Sequence, residues 1–337
     1  MKVVQVNDTF VPGRGIDRVI YEIGKRMDVD LTVIASRIEY DIPGAEMIEM
    51  PVKKSVHPVL WMIRGVRDYV KKNPDSAFHF HHMVLNWALT KSNTLCTFHG
   101  WSPEEIDRNF IIMRKFRQKF LELTAGRYAK ADKVSAVNAY QIPLLSSWGV
   151  KNPVHIPNGV DVARFKPDKR DDGYMLFVGR LTDQKRPDEL IQLSHELGFP
   201  LHMVGSGPLE EDLVELAESL SAPVKFFRKL SEDELIKQYQ HSSFFISASL
   251  WEGMTLTVPE AYACGKPAVV YDIPAMQDFN IGHRCNDYEG LKESARQLID
   301  DAGKRKELGE MARGFAERNL SWETIVQKYL RMYEAKI

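Results

Sequence analysis

The sequence predicts an α/β protein built from two domains, each a doubly wound parallel sheet. In residues 1–165, short apolar runs alternate with helical patterns, as expected when crossover helices join parallel strands. The same alternation restarts after the polar, charged segment 166–173 (KPDKRDDG), which we interpret as the linker. With 337 residues the chain is long enough for two cores of ordinary size. We therefore expect a first domain over residues 1–165 and a second over residues 166–320.

The first domain is predicted from six apolar runs and the helical segments between them. The predicted strands are Lys2–Val6, Leu31–Ala35, Ala77–His81, Thr94–Phe98, Lys133–Val137 and Val154–Ile156. The predicted helices are Arg18–Met27, Val59–Lys72 and Asn109–Ala129.

The second domain repeats this order with shorter connections. The predicted strands are Tyr174–Val178, Leu201–Val204, Val224–Phe227, the run FFISAS that ends at Ser249, and the run PAVVYD that ends at Asp272. We expect the last of these to close the sheet, and the chain beyond Pro274 to be helical over 287–301, 304–318 and 321–335.

Composition excludes several classes of protein. The chain is 44% hydrophobic and 27% charged with a net charge of -1, which is typical of a globular protein and gives no indication of nucleic-acid binding. The first half is nevertheless basic and the second half acidic. Three widely spaced cysteines (Cys96, Cys264 and Cys285) favour a reducing compartment. The first residues form a strand pattern and no apolar run reaches membrane-spanning length, so we expect a cytoplasmic protein.

Two carboxylates flank a short predicted helix in the segment WEGMTLTVPEAYACGKP (251–267). Glu252 follows a strand, and Glu260 lies about one turn inside the helix, which Thr255 or Thr257 can cap. Pro259 is tolerated only in the first turn, and Gly265 ends the helix. A helix N-terminus attracts anions, and carboxylates accept hydrogen bonds from hydroxyl groups. This combination suits a sugar phosphate.

Cations and glycines follow other predicted strands. Arg180 and Lys185 come after the strand that ends at Val178, where an arginine fork and a lysine point charge suit a diphosphate. Gly205, in Gly205-Ser206-Gly207-Pro208, marks a second turn facing the same crevice. Gly15, in Pro12-Gly13-Arg14-Gly15, marks a strand-to-helix turn that can meet a phosphate. This turn lacks the GxGxxG pattern, so a dinucleotide site is not supported.

Four histidines lie at the ends of two predicted strands. His79 and His81 share one face of a strand and His82 faces the other way, and we interpret these three as structural. Further ligands for a metal are not evident, so we expect no metal site. His99 follows the strand Thr94–Phe98 at the carboxyl end, where doubly wound folds bind ligands, and is therefore a candidate functional residue.

A basic segment covers residues 108–130. It contains one acidic residue, Glu122, against seven basic ones: Arg108, Arg114, Lys115, Arg117, Lys119, Arg127 and Lys130. A basic amphipathic helix can lie on an anionic membrane surface. The more ordinary interpretation, which we favour, is an apolar stripe in the core with solvated charges on the other side.

Together these motifs resemble the retaining glycosyltransferases of family four, of the mannosyltransferase and glycogen-synthase kind. Residues 252–267 resemble the family's motif of two glutamates separated by seven residues, with Thr255 where the family more often has glycine. Thr97-Phe98-His99-Gly100 and the segment from Pro157 to Asp161 resemble further family segments. The resemblance implies the GT-B fold, two facing Rossmann-like domains with a cleft between them, and a last helix, 321–337, that returns to the first domain.

The resemblance also implies a role for each site residue. Arg180 and Lys185 would hold the donor diphosphate, Glu252 the donor sugar hydroxyls, Glu260 the ribose, and His99 the transferred sugar. The remaining predicted donor-binding residues are Gly15, Gly205, Gly253, Met254, Thr255 and Leu256. The implied donor is a UDP- or GDP-linked hexose. The implied acceptor is a sugar or lipid-linked hydroxyl, with no cofactor, no metal and no nucleic acid.

Other functions remain open from the sequence. Arg14 and Thr255 stand where the family more often has glycine, and if either disrupts the site, the chain is instead a non-catalytic nucleotide-sugar binding protein. Arg228 also stands where glycine is common, near the expected position of the base, and leaves the identity of the base open. A GT-B epimerase or a phosphorylase would use a similar cleft, and a phosphorylase would depend on free phosphate and pyridoxal. A tandem-Rossmann oxidoreductase is disfavoured because the dinucleotide fingerprint is absent.

Overall fold

The computed structural model describes residues 1–50, 58–89, 93–100, 122–253, 255–279 and 281–334. Within it the chain divides into two compact units, residues 1–158 with 322–337 and residues 159–321. The division falls at Asn158–Gly159 and not at the predicted 165/166, because Val160 and Phe165 are already buried in the core of the second unit. The last helix belongs to the first unit.

The first unit contains a sheet of seven parallel strands. They are β1 (Lys2–Val6), β2 (Asp30–Ala35), β3 (Glu46–Glu49), β4 (Ala77–Phe80), β5 (Thr94–Phe98), β6 (Lys133–Ala136) and β7 (Val154–His155), in the order β3-β2-β1-β4-β5-β6-β7. The described helices are α1 (Gly15–Gly24), α2 (Pro58–Lys72), α3 (Gln141–Ser147) and, in this unit but last in the chain, Trp322–Glu334.

The second unit contains six parallel strands in the order β10-β9-β8-β11-β12-β13. The strands are β8 (Met175–Val178), β9 (Leu201–Val204), β10 (Val224–Phe227), β11 (Phe244–Ser247), β12 (Ala268–Tyr271) and β13 (Gly282–Cys285). The helices are α4 (Pro187–Leu197), α5 (Glu210–Ser219), α6 (Glu232–His241), α7 (Thr257–Ala263), α8 (Tyr288–Asp300) and α9 (Ala302–Phe315), so that Trp322–Glu334 is α10.

Both sheets have apolar cores on their two faces, because successive residues of each strand point to opposite sides. In β1, Val3 joins one buried cluster of the first unit, with α1 and α10, while Val4 joins the other, with α2. Strands buried on both faces are expected in parallel sheets. This explains why the central strands are mostly apolar runs, which sequence patterns detect.

Two edge strands were not predicted. The sequence analysis expected β12 to close the second sheet, but β13 pairs with it and takes the edge position. β13 (GHRC) and β3 (EMIE) are four-residue, largely polar strands with little apolar signal. Gly282 is required in β13, since its φ is +112° and a Cβ there would lie 2.0 Å from the Ala268 carbonyl oxygen. Side chains at an edge contact fewer neighbours, so polar residues are tolerated there.

The helical boundaries also differ in places. Helix α1 begins at Gly15, before the predicted Arg18, and ends at Gly24. The helical pattern after residue 301 comprises α9, a π-helical turn over Ala316–Leu320, and α10. The predicted helix Asn109–Ala129 lies mostly outside the described residues; of it, residues 122–125 are helical.

Candidate functional site

The candidate site of the second unit lies where the strand order of its sheet reverses, between β8 and β11. Consecutive chain segments leave these neighbouring strands in opposite directions, which opens a crevice at their carboxyl ends, where doubly wound sheets bind ligands. Arg180 and Lys185 follow β8, and Glu252 follows β11. Sheet topology therefore brings together these three residues, which the sequence analysis named separately.

Hydrogen bonds hold the two loops at this position against each other. The Leu250 N–H donates to the Gln184 carbonyl at 2.9 Å, and Gln184 Nε2 donates to the Trp251 carbonyl at 2.7 Å. Beside them, Lys185 Nζ forms an ion pair with Glu252 Oε1, and both side chains are largely buried (17% and 9% exposed). An ammonium has three donors, so Lys185 keeps donors for a ligand while it orients Glu252.

Arg180 is the exposed cation of this site. Among the residues that the structure describes, its guanidinium has no hydrogen bond or ion pair. It borders a cavity of about 350 Å³ at the carboxyl ends of β8, β9 and β10. The other lining residues are Val178, Gly179, Val204, Gly205, Ser206, Arg228, Leu230 and Leu235. An arginine with its five donors available can bind a phosphate in a bidentate way.

Gly205 lines the same cavity, and the packing of two loops explains why it is glycine. Its φ is +146°, and a Cβ there would lie 1.9 Å from the Gly179 carbonyl oxygen. Gly207 is under the same constraint, because a Cβ would lie 2.2 Å from the Leu181 carbonyl oxygen. The Leu181 N–H in turn donates to the Ser206 carbonyl at 3.0 Å. The turn thus supports the loop that carries Arg180.

Glu260, on α7, is buried, with 4% of its surface exposed. Its Oε2 accepts a hydrogen bond from the Tyr239 hydroxyl of α6 at 2.8 Å. Sequence reasoning missed Tyr239, because it lies on a different helix from the motif. In the sequence, Tyr239 reads as an ordinary core residue near the end of an amphipathic helix. That pattern gives no indication of a hydrogen bond to Glu260.

We expect Tyr239→Phe to lower the free energy of unfolding by about 1–3 kcal/mol, since it removes a donor from a buried carboxylate. Urea unfolding of the full chain measures this loss. Tyr174→Phe, which removes a part-buried hydroxyl that donates to the Gln238 carbonyl, is the comparison in the same unit. If Tyr239→Phe also left donor binding unchanged, Glu260 would not need this bond for its proposed role.

The start of α7 differs from the predicted cap. Leu256 occupies the cap position and caps nothing with its side chain. Thr255, which is 6% exposed, instead accepts the Thr257 N–H at 3.2 Å and lies 2.7 Å from the Thr257 hydroxyl oxygen. Thr255, at a position where the resembled family more often has glycine, therefore accepts a hydrogen bond from one of the first backbone N–H groups of α7. Gly253 adjoins this turn, and Met254 lies outside the described residues.

In the first unit, the turn that carries Gly15 is organised by Asp17. The buried Asp17 carboxylate accepts hydrogen bonds from Asn7 Nδ2 at 2.7 Å, the Thr9 hydroxyl at 2.9 Å and the Val11 N–H at 2.9 Å. Burial nevertheless raises its pKa. Arg14 pairs with Asp8 at 3.3 Å, so its side chain is turned onto the strand end. Gly15 begins α1 with open space where a Cβ would stand.

His99 lies just past β5, beside His81, which follows β4; the strand order of the first sheet reverses next to β4, between β1 and β4. Its Nε2 is 2.9 Å from His81 Nδ1, and His81 Nε2 in turn contacts Gln5 Oε1. His79 Nδ1 lies 2.7 Å from the Tyr333 hydroxyl of α10. Desolvation lowers the pKa of His99 to about 3, and burial, with the neighbouring histidines, lowers the pKa of His79 and His81 well below the ordinary value. The two histidines that we interpreted as structural are thus linked to the candidate functional one.

His82, the fourth histidine, has a local structural role. It accepts the Val84 N–H at 3.2 Å and so begins a short 3₁₀ turn.

Of the basic segment 108–130, residues 108–121 lie outside the described part of the chain. Across the described ranges, no group of three or more His, Cys, Asp or Glu residues could hold a metal ion. No described helix is both long enough and apolar enough to cross a membrane.

Comparison with known proteins assigns both units. The model of the family described as Glycosyltransferase Family 4 matches residues 13–164, and that described as Glycosyl transferases group 1 matches residues 160–315. The chain is similar to an uncharacterised glycosyltransferase of Methanocaldococcus jannaschii, with 27% identity over 222 residues. That match covers 62% of this chain and 63% of the archaeal protein, so it spans less than two thirds of that relative.

Two further proteins resemble the chain over most of its length. A phosphatidyl-myo-inositol mannosyltransferase of Mycolicibacterium smegmatis is 24% identical over 328 residues, which cover 88% of this chain and 81% of that protein. The crystal structure of Anabaena HepE in complex with UDP has a TM-score of 0.78 at 17% identity and covers 100% of both chains, which shows the shared fold. Each unit has a Rossmann-like sheet of parallel strands, and family models match both halves of the chain. This chain belongs to the group 1, family 4 glycosyltransferases of the GT-B fold.

Proposed function

We propose that the protein transfers a hexose from a UDP- or GDP-linked donor to an acceptor hydroxyl, with retention of configuration at the anomeric carbon. The observation that carries this proposal is the ion pair of Lys185 with Glu252. These residues are 67 positions apart, yet they meet at the carboxyl ends of β8 and β11, with the exposed Arg180 on the same loop as Lys185. Cations for a diphosphate and a carboxylate for sugar hydroxyls are the groups that a nucleotide sugar requires.

The chemistry places the greatest demand on the leaving group. The bond between the anomeric carbon and the diphosphate oxygen breaks, and a bond from that carbon to the acceptor oxygen forms. The departing phosphate oxygen takes the acceptor proton. Negative charge grows on the diphosphate as the bond breaks, and Arg180 and Lys185 stabilise it as fixed donors stabilise an oxyanion. In this proposal no metal is required, and Glu252 positions the sugar without acting as a nucleophile.

The other assigned residues follow the family resemblance. Glu260 holds the ribose and His99 contacts the transferred sugar. The mannosyltransferase relative supports a lipid-linked acceptor, since its name includes phosphatidyl-myo-inositol. A cytoplasmic location with peripheral attachment to an anionic membrane surface belongs to the same proposal and depends on the basic segment 108–130.

A thermal-shift panel of UDP-, GDP- and ADP-sugars, with magnesium and with a chelator, tests the proposal. A ligand at about a hundred times its dissociation constant adds roughly 2.7 kcal/mol of stability, which moves the midpoint measurably. We expect one base class to shift the midpoint equally with and without magnesium. No shift with any nucleotide would contradict the donor site, and a shift only with magnesium would contradict the metal-independent mechanism.

Trp251 gives a local signal for the same experiment. It is next to Glu252 and is the single tryptophan in residues 159–321. Donor binding should therefore change the fluorescence of the wild-type chain, and Trp251→Phe should remove that change while the thermal shift remains. Release of nucleoside diphosphate during incubation with acceptors then separates a transferase from a protein that only binds the donor.

A further inference from the structure

A continuous chain of polar side chains crosses one face of the first sheet. Gln5 pairs in register with His79 across β1 and β4, and Thr97 pairs with Ser135 across β5 and β6. These four side chains are fully buried, and Tyr333 of α10, 4% exposed, contacts the row. A buried polar row in a parallel sheet costs free energy unless its members bond to one another. Here they do.

The direction of each hydrogen bond follows from the chemistry of the groups. Gln5 Oε1 can only accept, so the His81 Nε2 that contacts it carries the proton. In neutral His81, Nδ1 is then an acceptor, and the His99 Nε2 at 2.9 Å must donate to it. His99 Nδ1 is therefore left without a proton. Desolvation keeps the imidazole rings neutral, as their lowered pKa values indicate.

The remaining side chains of this polar row fix the orientation of Gln5. Gln5 Nε2 donates to the Tyr333 hydroxyl oxygen at 3.3 Å, and this hydroxyl lies 2.7 Å from His79 Nδ1, to which it donates when His79 carries its proton on Nε2. His79 Nε2 then donates to the Thr97 hydroxyl oxygen at 2.6 Å, and Thr97 lies 2.7 Å from the Ser135 hydroxyl oxygen. Both ring nitrogens of His79 therefore have hydrogen-bond partners. A Gln5 amide without Tyr333 would lose the bond that distinguishes its nitrogen from its oxygen.

We propose that Gln5, His81 and Tyr333 are positioning residues that hold His99 as a single neutral tautomer, with Nδ1 unprotonated to accept a hydrogen bond from a substrate hydroxyl. This rests on the proposed function only in naming the substrate, a sugar. A histidine fixed in this way accepts from a hydroxyl and adds no positive charge beside the transferred group. It cannot donate through Nδ1 or serve as a general acid there.

The tautomer is measured directly in the ligand-free, full-length protein. Long-range ¹H–¹⁵N spectra of the ¹⁵N-histidine-labelled chain at pH 7 distinguish protonated from unprotonated ring nitrogens, and His99→Gln and His81→Gln assign the signals. We expect His79, His81 and His99 all to be protonated at Nε2 alone. A proton on His99 Nδ1, an imidazolium, or a mixture of tautomers in the wild type would overturn the proposal. The reversed Gln5 amide would give the first of these results.

Tyr333→Phe tests the positioning role, with Tyr128→Phe as the matched control. Tyr128 is also buried in the first unit, but it packs in the cluster on the opposite face of the sheet. Tyr333→Phe should give a mixture of His99 tautomers and lower kcat about tenfold, the effect of one hydrogen bond, with the donor KM nearly unchanged. Tyr128→Phe should leave the histidine signals and kcat unchanged. A wild-type tautomer in Tyr333→Phe would exclude positioning by Tyr333, whereas inactivity of every variant and of the wild type would contradict the proposed function alone.

Discussion

Replacing Arg180 with alanine should lower kcat by roughly 10²–10³-fold, the loss observed when one fixed donor is deleted from an oxyanion site. The structure supports a large effect for two reasons. The guanidinium is exposed beside a cavity at the sheet edge, and it has no partner among the described residues, so all of its donors can bind a ligand. Lys185, in contrast, already shares its charge with Glu252. Initial rates of nucleoside diphosphate release with the donor identified by the thermal panel measure the change.

Two variants sharpen this test. Arg296→Ala removes the same charge from the exposed surface of α8, where Arg296 lies 3.9 Å from Glu293, and it should leave the rate unchanged. Arg180→Lys keeps the charge but loses the fork, so it should recover only part of the rate. A rate near that of the wild type in Arg180→Ala would remove Arg180 from the mechanism. An equal loss in Arg296→Ala would point to net charge as the cause.

Acidification should lower the free energy of unfolding of the first unit before the carboxylates become protonated. Burial lowers the pKa of His79 and His81 well below the ordinary value of 6.5, and that of His99 to about 3. Between pH 6.5 and the lowered pKa values of the folded protein, these histidines bind protons in the unfolded chain but not in the folded chain. The free energy of unfolding is therefore fully retained above about pH 6.5 and falls as the pH falls below it, by about 2 kcal/mol for each fully buried histidine between pH 7 and pH 5.

Tryptophan fluorescence follows this loss selectively, because four of the five tryptophans among the described residues belong to the first unit: Trp61, Trp87, Trp148 and Trp322. Urea unfolding at pH 7, 6 and 5 should show the midpoint of that signal falling steeply, and His79→Gln should make the slope shallower. His155→Gln removes a partly buried histidine of the same unit that lies outside the row, and it should leave the slope unchanged. A stability that stayed constant or rose between pH 7 and pH 5 would contradict neutral, buried histidines.

Much of the fold followed from local patterns. The central strands are buried on both faces and mostly apolar, and β1, β5, β9 and β10 have the predicted bounds. The edge strands β3 and β13 escaped prediction because an edge requires less burial, so each is a short strand with at most two apolar residues. The boundary between units was placed too late, because the polar segment after residue 165 is a stronger composition signal than the buried Val160 and Phe165 that precede it.

The candidate donor-site residues were readable for a simple physical reason. All strands of a parallel sheet point the same way, so residues that follow different strands gather at one edge. Once strands β8 and β11 are correctly located in the sequence, the cation after β8 and the carboxylate after β11 are expected to lie close together. Gly205 was also named from the sequence as a candidate, but the reason for glycine there, the contact with the Gly179 carbonyl, depends on loop packing.

The sequence by itself determined the alternation of strands and helices, the two sheets and the charged residues at strand ends, because each depends on neighbours in the chain. Only the tertiary structure decided which polar side chains are bonded inside. Gln5 and Tyr333 are 328 positions apart, and Tyr239 reaches Glu260 from another helix. The period of two placed His79 and His81 on one face but could not say what faces them. That depends on the order of strands in the sheet and on where the last helix packs, and both are set by the burial of surfaces distant in sequence.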